Sequence, residues 1–126
     1  RNWTIAPKLS DPNRYWYVDF AKIIKSMVAA IYMETEFWSD EEQTVRLEMG
    51  SNDGIKTWLN GQVVHVNDAS RGVTAGEDVK EVTLQKGKNT LLMKIVNEGG
   101  GWGGCARLRR LDGGHLSNIK INMLKE

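Results

Sequence analysis

With 126 residues the chain is sized for one domain, able to bury about two thirds of its unfolded surface without covalent staples, and residues 1–126 read as a single module. Lys plus Arg total 17 against 16 Asp plus Glu, a net charge of +1 that gives too little field to grip phosphates, so nucleic acid is not an expected partner. A single cysteine, Cys105, precludes an internal disulfide, and two histidines leave a Cys/His zinc site short of ligands. No run reaches the roughly 18 apolar residues of a membrane span, so no membrane is expected either. The chain opens on Arg1-Asn2-Trp3, with neither an initiating methionine nor a hydrophobic leader, as expected of a module excised from a longer protein.

Apolar positions recur with period two almost throughout, and no window keeps a 3.6-residue stripe between caps, so the chain is expected to be all-β. Residues 14–20 read as a strand and 21–26 as a short helix or a loop. From 27 to 38, Met27, Ala29, Ile31, Met33, Thr35 and Phe37 share a core face, with Val28, Ala30, Tyr32, Glu34, Glu36 and Trp38 opposite. The polar stretch 39–43 predicts a turn into a strand that points Val45, Leu47 and Met49 inward and Thr44, Arg46 and Glu48 outward. That strand is expected to lie beside the preceding one, with Arg46 placed to neutralise Glu34 and Glu36.

Asn60-Gly61 stands between two alternating runs, and both residues tolerate positive φ, so a two-residue type I′ turn is predicted. Leu59 then pairs with Gln62. Counting outward puts Ile55, Thr57, Leu59, Gln62, Val64 and Val66 on one face and Lys56, Trp58, Val63 and His65 on the other. The second set gathers an indole, an imidazole and an ammonium. Residues 67–78 form a polar connection long enough to shape a site. A further hairpin is predicted from Val82 and Leu84 through Lys86-Gly87-Lys88-Asn89 to Leu91, Met93 and Ile95. Then come five glycines around Trp102, a strand over 105–111, a turn at Asp112-Gly113-Gly114, and an apolar run over 119–124. Seven to nine strands so spaced fit a two-sheet sandwich.

No serine elbow, phosphate loop or dinucleotide fingerprint is present, and Cys105 has no cue for a neighbouring base. Glu34 and Glu36, with Glu48, offer the carboxyls a glycosidase needs, but i and i+2 carboxylates on a strand are more simply a solvated face. Trp102 among its glycines either plugs the open end of the core or stands free as a platform. Trp58 is likewise either covered by a neighbour or open. One face of a sugar ring is rich in C–H groups and stacks on indole, while its hydroxyls seek amide, carboxylate, imidazole and guanidinium partners. Asn67, Asp68, Arg71, His65 and Arg107 are of those types. Asn52-Asp53-Gly54 is either a plain turn or, through Asn52 and Asp53, part of a calcium site.

The run from Gly50 through Asn52-Asp53-Gly54 and Trp58-Leu59-Asn60-Gly61, then Val64-His65, then Leu84, Lys86-Gly87 and Asn89-Thr90-Leu91-Leu92-Met93-Lys94, then Gly101-Trp102-Gly103 and Arg107-Leu108, resembles jelly-roll modules appended to secreted bacterial polysaccharide-degrading enzymes. It is similar also to the β-sandwich domains of β-galactosidase-type enzymes and, more distantly, to protective-antigen-type lectin domains. The resemblance covers about residues 28–113 and implies a jelly-roll β-sandwich of two antiparallel sheets. In the lectin domains adjacent aspartates before an Asp-Gly turn hold calcium. Here Asn52 stands at the first of those positions, leaving Asp53 as the matched carboxylate.

The resemblance implies a non-catalytic carbohydrate-binding module, secreted or cell-surface, that brings an adjacent catalytic domain to a polysaccharide or oligosaccharide. Its expected contacts are stacking on Trp102 or Trp58 and hydrogen bonds from His65, Asn67, Asp68, Arg71 and Arg107. The alternative is a structural domain that braces a catalytic neighbour.

Overall fold

The computed structural model describes residues 10–11, 14–19, 29–68, 77–97 and 103–121. Ten strands lie among them: β1 (Ser10–Asp11), β2 (Arg14–Asp19), β3 (Ala29–Ser39), β4 (Gln43–Asn52), β5 (Gly54–Leu59), β6 (Gln62–Asn67), β7 (Asp78–Leu84), β8 (Gly87–Asn97), β9 (Gly103–Arg109) and β10 (Ile119–Ile121). They make two five-stranded sheets, the first in the order β1-β2-β9-β4-β7 and the second in the order β10-β3-β8-β5-β6. All pairings are antiparallel. The chain is thus an all-β sandwich, and the segment expected as helix or loop, 21–26, lies outside the described residues.

Side-chain alternation builds the core as anticipated. Val45, Leu47 and Met49 of β4 face Ile55 and Leu59 of β5 and Leu91, Met93 and Ile95 of β8, all buried. Phe37 joins them from β3, with Ile31 and Met33 packed at the margin, whereas Thr35 stays exposed. The sheets approach closely enough for the Thr57 hydroxyl to donate to Met49 Sδ at 3.3 Å. At Gly104 a Cβ would sit 3.2 Å from the Ile95 side chain, so glycine is what lets β9 lie over β8.

Strand order departs from the sequence expectation. β3 and β4 are not neighbours, and β7 and β8 do not form a hairpin; each pair is split between the two sheets. From β3 onward only β5 and β6 follow one another within a sheet, and every other connection crosses the sandwich, which is the jelly-roll pattern. A polar turn marks where the chain reverses, but either sheet can receive the next strand, since inward apolar residues reach the same core from both sides. At the β7–β8 crossing the fully buried Asn89 holds the bend. Its Oδ1 accepts from Gln85 N (3.0 Å) and Asn60 Nδ2 (2.9 Å), and its Nδ2 donates to Gln85 O (2.9 Å) and Gly87 O (3.1 Å).

The β5–β6 hairpin has the predicted turn, with φ of 51° at Asn60 and 82° at Gly61, and Leu59 opposite Gln62. Trp58 pairs with Val63 as counted. The register then slips: Thr57 faces His65, and Val64 is an extra residue. This β-bulge reverses the parity of everything beyond it. His65 and Asn67 turn to the inner side of β6, and Val66, expected in the core, is 60% exposed.

Candidate functional site

The outer face of the second sheet carries the described aromatic rings that remain open to solvent. β8 lies between β3 and β5, and the register aligns Tyr32, Lys94, Lys56 and Val66 in one row and Glu34, Leu92, Trp58 and Val63 in the next. The Tyr32 and Trp58 rings lie 6.4 Å apart at 31°. Lys56 Nζ sits 5.0 Å from the Trp58 ring centre and Lys94 Nζ 5.9 Å from that of Tyr32. Tyr32 is 46% exposed and Trp58 half-buried. Farther along β3, Trp38 is 47% exposed, with Lys88 and Lys120 as its register partners on either side. The surface is a platform rather than a groove. Two tilted rings with cationic rims can stack on the C–H face of a sugar and hydrogen-bond its hydroxyls.

The predicted site residues do not converge at one end. His65 lies inside the sandwich margin, its Nε2 3.2 Å from Asp78 Oδ2, and Asn67 Nδ2 donates to Asp78 Oδ1 at 3.0 Å. These contacts join β6 to β7 across the open edge, so both side chains are spent on structure and neither shares the Trp58 face. Arg107 is on the outer face of the first sheet, on the far side of the molecule from Trp58. There Glu48 draws in Arg107 Nε (2.5 Å), Arg46 Nη2 (2.9 Å) and Arg109 Nε (3.5 Å). That placement corrects two carboxylate expectations. Glu48 cannot work with Glu34 and Glu36, which lie on the other sheet, and it is Lys88 Nζ, 3.0 Å from Glu36 Oε1, that neutralises Glu36 in place of Arg46. Asp68 is exposed just past β6. Trp102 and Arg71 lie outside the described residues.

Asn52 and Asp53 form the sharp β4–β5 crossing, joined by a cis peptide bond, with Asp53 buried and Asn52 half-buried. Asp53 N donates to Val96 O at 2.8 Å, and Ser51 Oγ donates to Asp53 O at 2.6 Å. Asp68 Oδ1 comes within 3.6 Å of where a Cβ on Gly54 would stand, which brings a second carboxylate towards this end. Calcium takes six to eight oxygen ligands. Among the described residues no three His, Cys, Asp or Glu side chains cluster about a common point.

A groove of about 490 Å³ runs between the edges of β6 and β7, with Leu59, Val64, Val82 and Leu84 among its lining and Asn60, Gln62, Glu81 and Gln85 at its rim. It holds no aromatic side chain. Tyr32, Lys94 and Trp38 were missing from the sequence-derived set. The alternation over 27–38 did place Tyr32 and Trp38 on the outward face; what it lacked was the strand order that brings β3 within one strand of β5.

No family model and no curated protein sequence matches the chain. Solved structures do. A PA14 sugar-binding domain from an RTX adhesin is 20% identical with a TM-score of 0.58, the match covering 77% of this chain and 52% of that one. The PA14 domain of the antifreeze protein MpAFP is 19% identical at TM-score 0.56, over 69% and 46% of the two chains. A family 35 carbohydrate binding module from an environmental isolate is 10% identical at TM-score 0.53, over 79% and 74%. A β-glucosidase from Kluyveromyces marxianus is 15% identical at TM-score 0.57, over 78% of this chain but 13% of the enzyme. The chain therefore spans about half or less of the PA14 and β-glucosidase structures, and at these identities what is shared is the fold.

Proposed function

We propose that this domain is a non-catalytic carbohydrate-binding module that holds a glycan on the outer face of its second sheet. The observation that carries this is the solvent-facing Tyr32 and Trp58 pair, edged by Lys56 and Lys94. The likeness in fold to domains described as sugar-binding supports it. In the same proposal the domain is secreted or cell-surface and keeps a polysaccharide-degrading catalytic neighbour close to its substrate. An open platform recovers little beyond its desolvation costs, so dissociation constants on the order of micromolar to millimolar are expected. Calorimetric titration against a panel of plant, algal and host polysaccharides tests this. Binding that Trp58→Ala weakens at least tenfold is expected, and silence across the panel would count against it.

One observation favours a second function. Val63 and Val66 extend the same surface at 50% and 60% exposure, and a broad, flat apolar area suits a protein neighbour as well as a sugar. If the domain braces a catalytic partner, this face loses amide or side-chain accessibility in the longer protein and no glycan binds.

A further inference from the structure

We infer that the glycan taken by the Tyr32 and Trp58 platform is an acidic one, bearing carboxylate or sulfate groups, and that Lys56 and Lys94 select it; this rests on the assignment of sugar binding to that face. Lys56 and Lys94 are Cα partners on neighbouring strands. Like charges set directly opposite in a sheet repel. Among the described residues neither is seen in an ion pair; Lys88 holds Glu36, while Glu34 and Asp68 are the acidic side chains one register row away. Each ammonium leans instead over a ring, Lys56 on Trp58 and Lys94 on Tyr32.

That arrangement discriminates between ligands. A sugar ring reaches the indole face only once Lys56 swings aside, and a neutral sugar offers the displaced ammonium only uncharged hydroxyl acceptors in exchange for the lost cation–π contact. A carboxylate or sulfate meets the displaced ammonium with a charge-assisted hydrogen bond and screens it from Lys94. The same grouping recurs at the other end of the face, where Trp38 stands between Lys88 and Lys120. Tyr32 and Trp38 are separated along β3 by about 20 Å at the usual strand rise, room for several sugar units. Among the described residues this face sets Lys56, Lys88, Lys94 and Lys120 against Glu34, Glu36 and, beside Gly54, Asp68.

The test is calorimetric titration of the intact chain with a neutral galactan, its sulfated counterpart, a neutral glucan, a polyuronate and polyglutamate, at low and high salt. Trp58→Ala and the pair Lys56→Gln with Lys94→Gln are measured alongside. At least tenfold tighter binding of the sulfated galactan or the polyuronate than of the neutral glycans is expected, and which of the two prevails tells sulfate from carboxylate. The paired lysine substitution should erase that preference while weak neutral binding persists. Equal affinity for neutral and acidic glycans, still lost in Trp58→Ala, overturns the acid selectivity and leaves sugar binding standing. Polyglutamate binding as tightly as the acidic glycans overturns selection of a sugar in favour of any polyanion. No glycan binding, or binding indifferent to Trp58→Ala, overturns both.

Discussion

Asn89 concentrates more structural consequence than any other polar side chain described. Its buried amide satisfies the backbone N–H and C=O of Gln85 and the carbonyl of Gly87 while accepting from Asn60. Asn89→Ala removes these contacts at a bend where Gln85 and Asn60 are exposed and Gly87 is half-buried, so water takes up part of the loss and a cost of about 1–2 kcal/mol is expected. Urea unfolding checks this through a lower midpoint at unchanged slope. In sequence Asn89 was legible as one more turn residue, because its burial depends on β5, nearly thirty positions away. At Asp112 the hydrogen bond from Arg110, then that from Gly114 N–H, hold the carboxyl below the usual carboxylate range, and the same contact raises Arg110. A carboxyl depressed on folding stabilises fully above its unfolded value of about 3.9, and the contribution disappears as pH falls through the lower folded value. An NMR titration should find the Asp112 midpoint below that value and moving up towards it in Arg110→Ala. The pair is fully exposed, so salt should shrink the difference.

The β5–β6 hairpin shows what an element can and cannot announce. Its turn was readable because Asn-Gly is the local chemistry that positive φ demands. At Gly61, where φ is +82°, a Cβ would meet nothing within 4 Å, so Gly61→Ala is strained by backbone geometry alone. A loss of about 1 kcal/mol is expected, seen as a fall of a few degrees in Tm. The bulge was not readable, since no glycine or proline marks Val64. Yet it is what sends His65 inward to Asp78 and leaves Trp58 among lysines and tyrosine. Deleting Val64 removes the extra residue and leaves Trp58 opposite Val63 and Thr57 opposite His65 in a regular ladder, so His65 and Asn67 should stay inward against Asp78. Hydrogen exchange should then show amides over 65–67 and at Asp78 protected at least as well as before, and faster exchange there would mean that Val64 is needed for the inward placement of His65.

For the whole molecule, the two outer faces have different chemistry. One gathers rings and lysines; the other, three arginines around the buried Glu48. A ligand on the first face stabilises the fold by mass action, about 2.7 kcal/mol at a hundredfold excess over Kd. Thermal unfolding should therefore shift upward with an acidic glycan, less so at high salt, and unchanged by Arg107→Gln, whose side chain lies across the sandwich. The all-β class, the alternation that buries Val45, Leu47, Met49, Ile55 and Leu59, and the Asn60-Gly61 turn were all legible in the residues alone. Each depends on a side-chain period or a backbone preference contained within a few residues. That β3 lies one strand from β5, that a bulge diverts His65 and Asn67 to Asp78, and that Arg107 and Trp58 face opposite ways emerges from the assembled strands alone. Strand order and register are settled by pairings between distant segments, whose competing arrangements bury nearly the same apolar side chains and so leave no local trace.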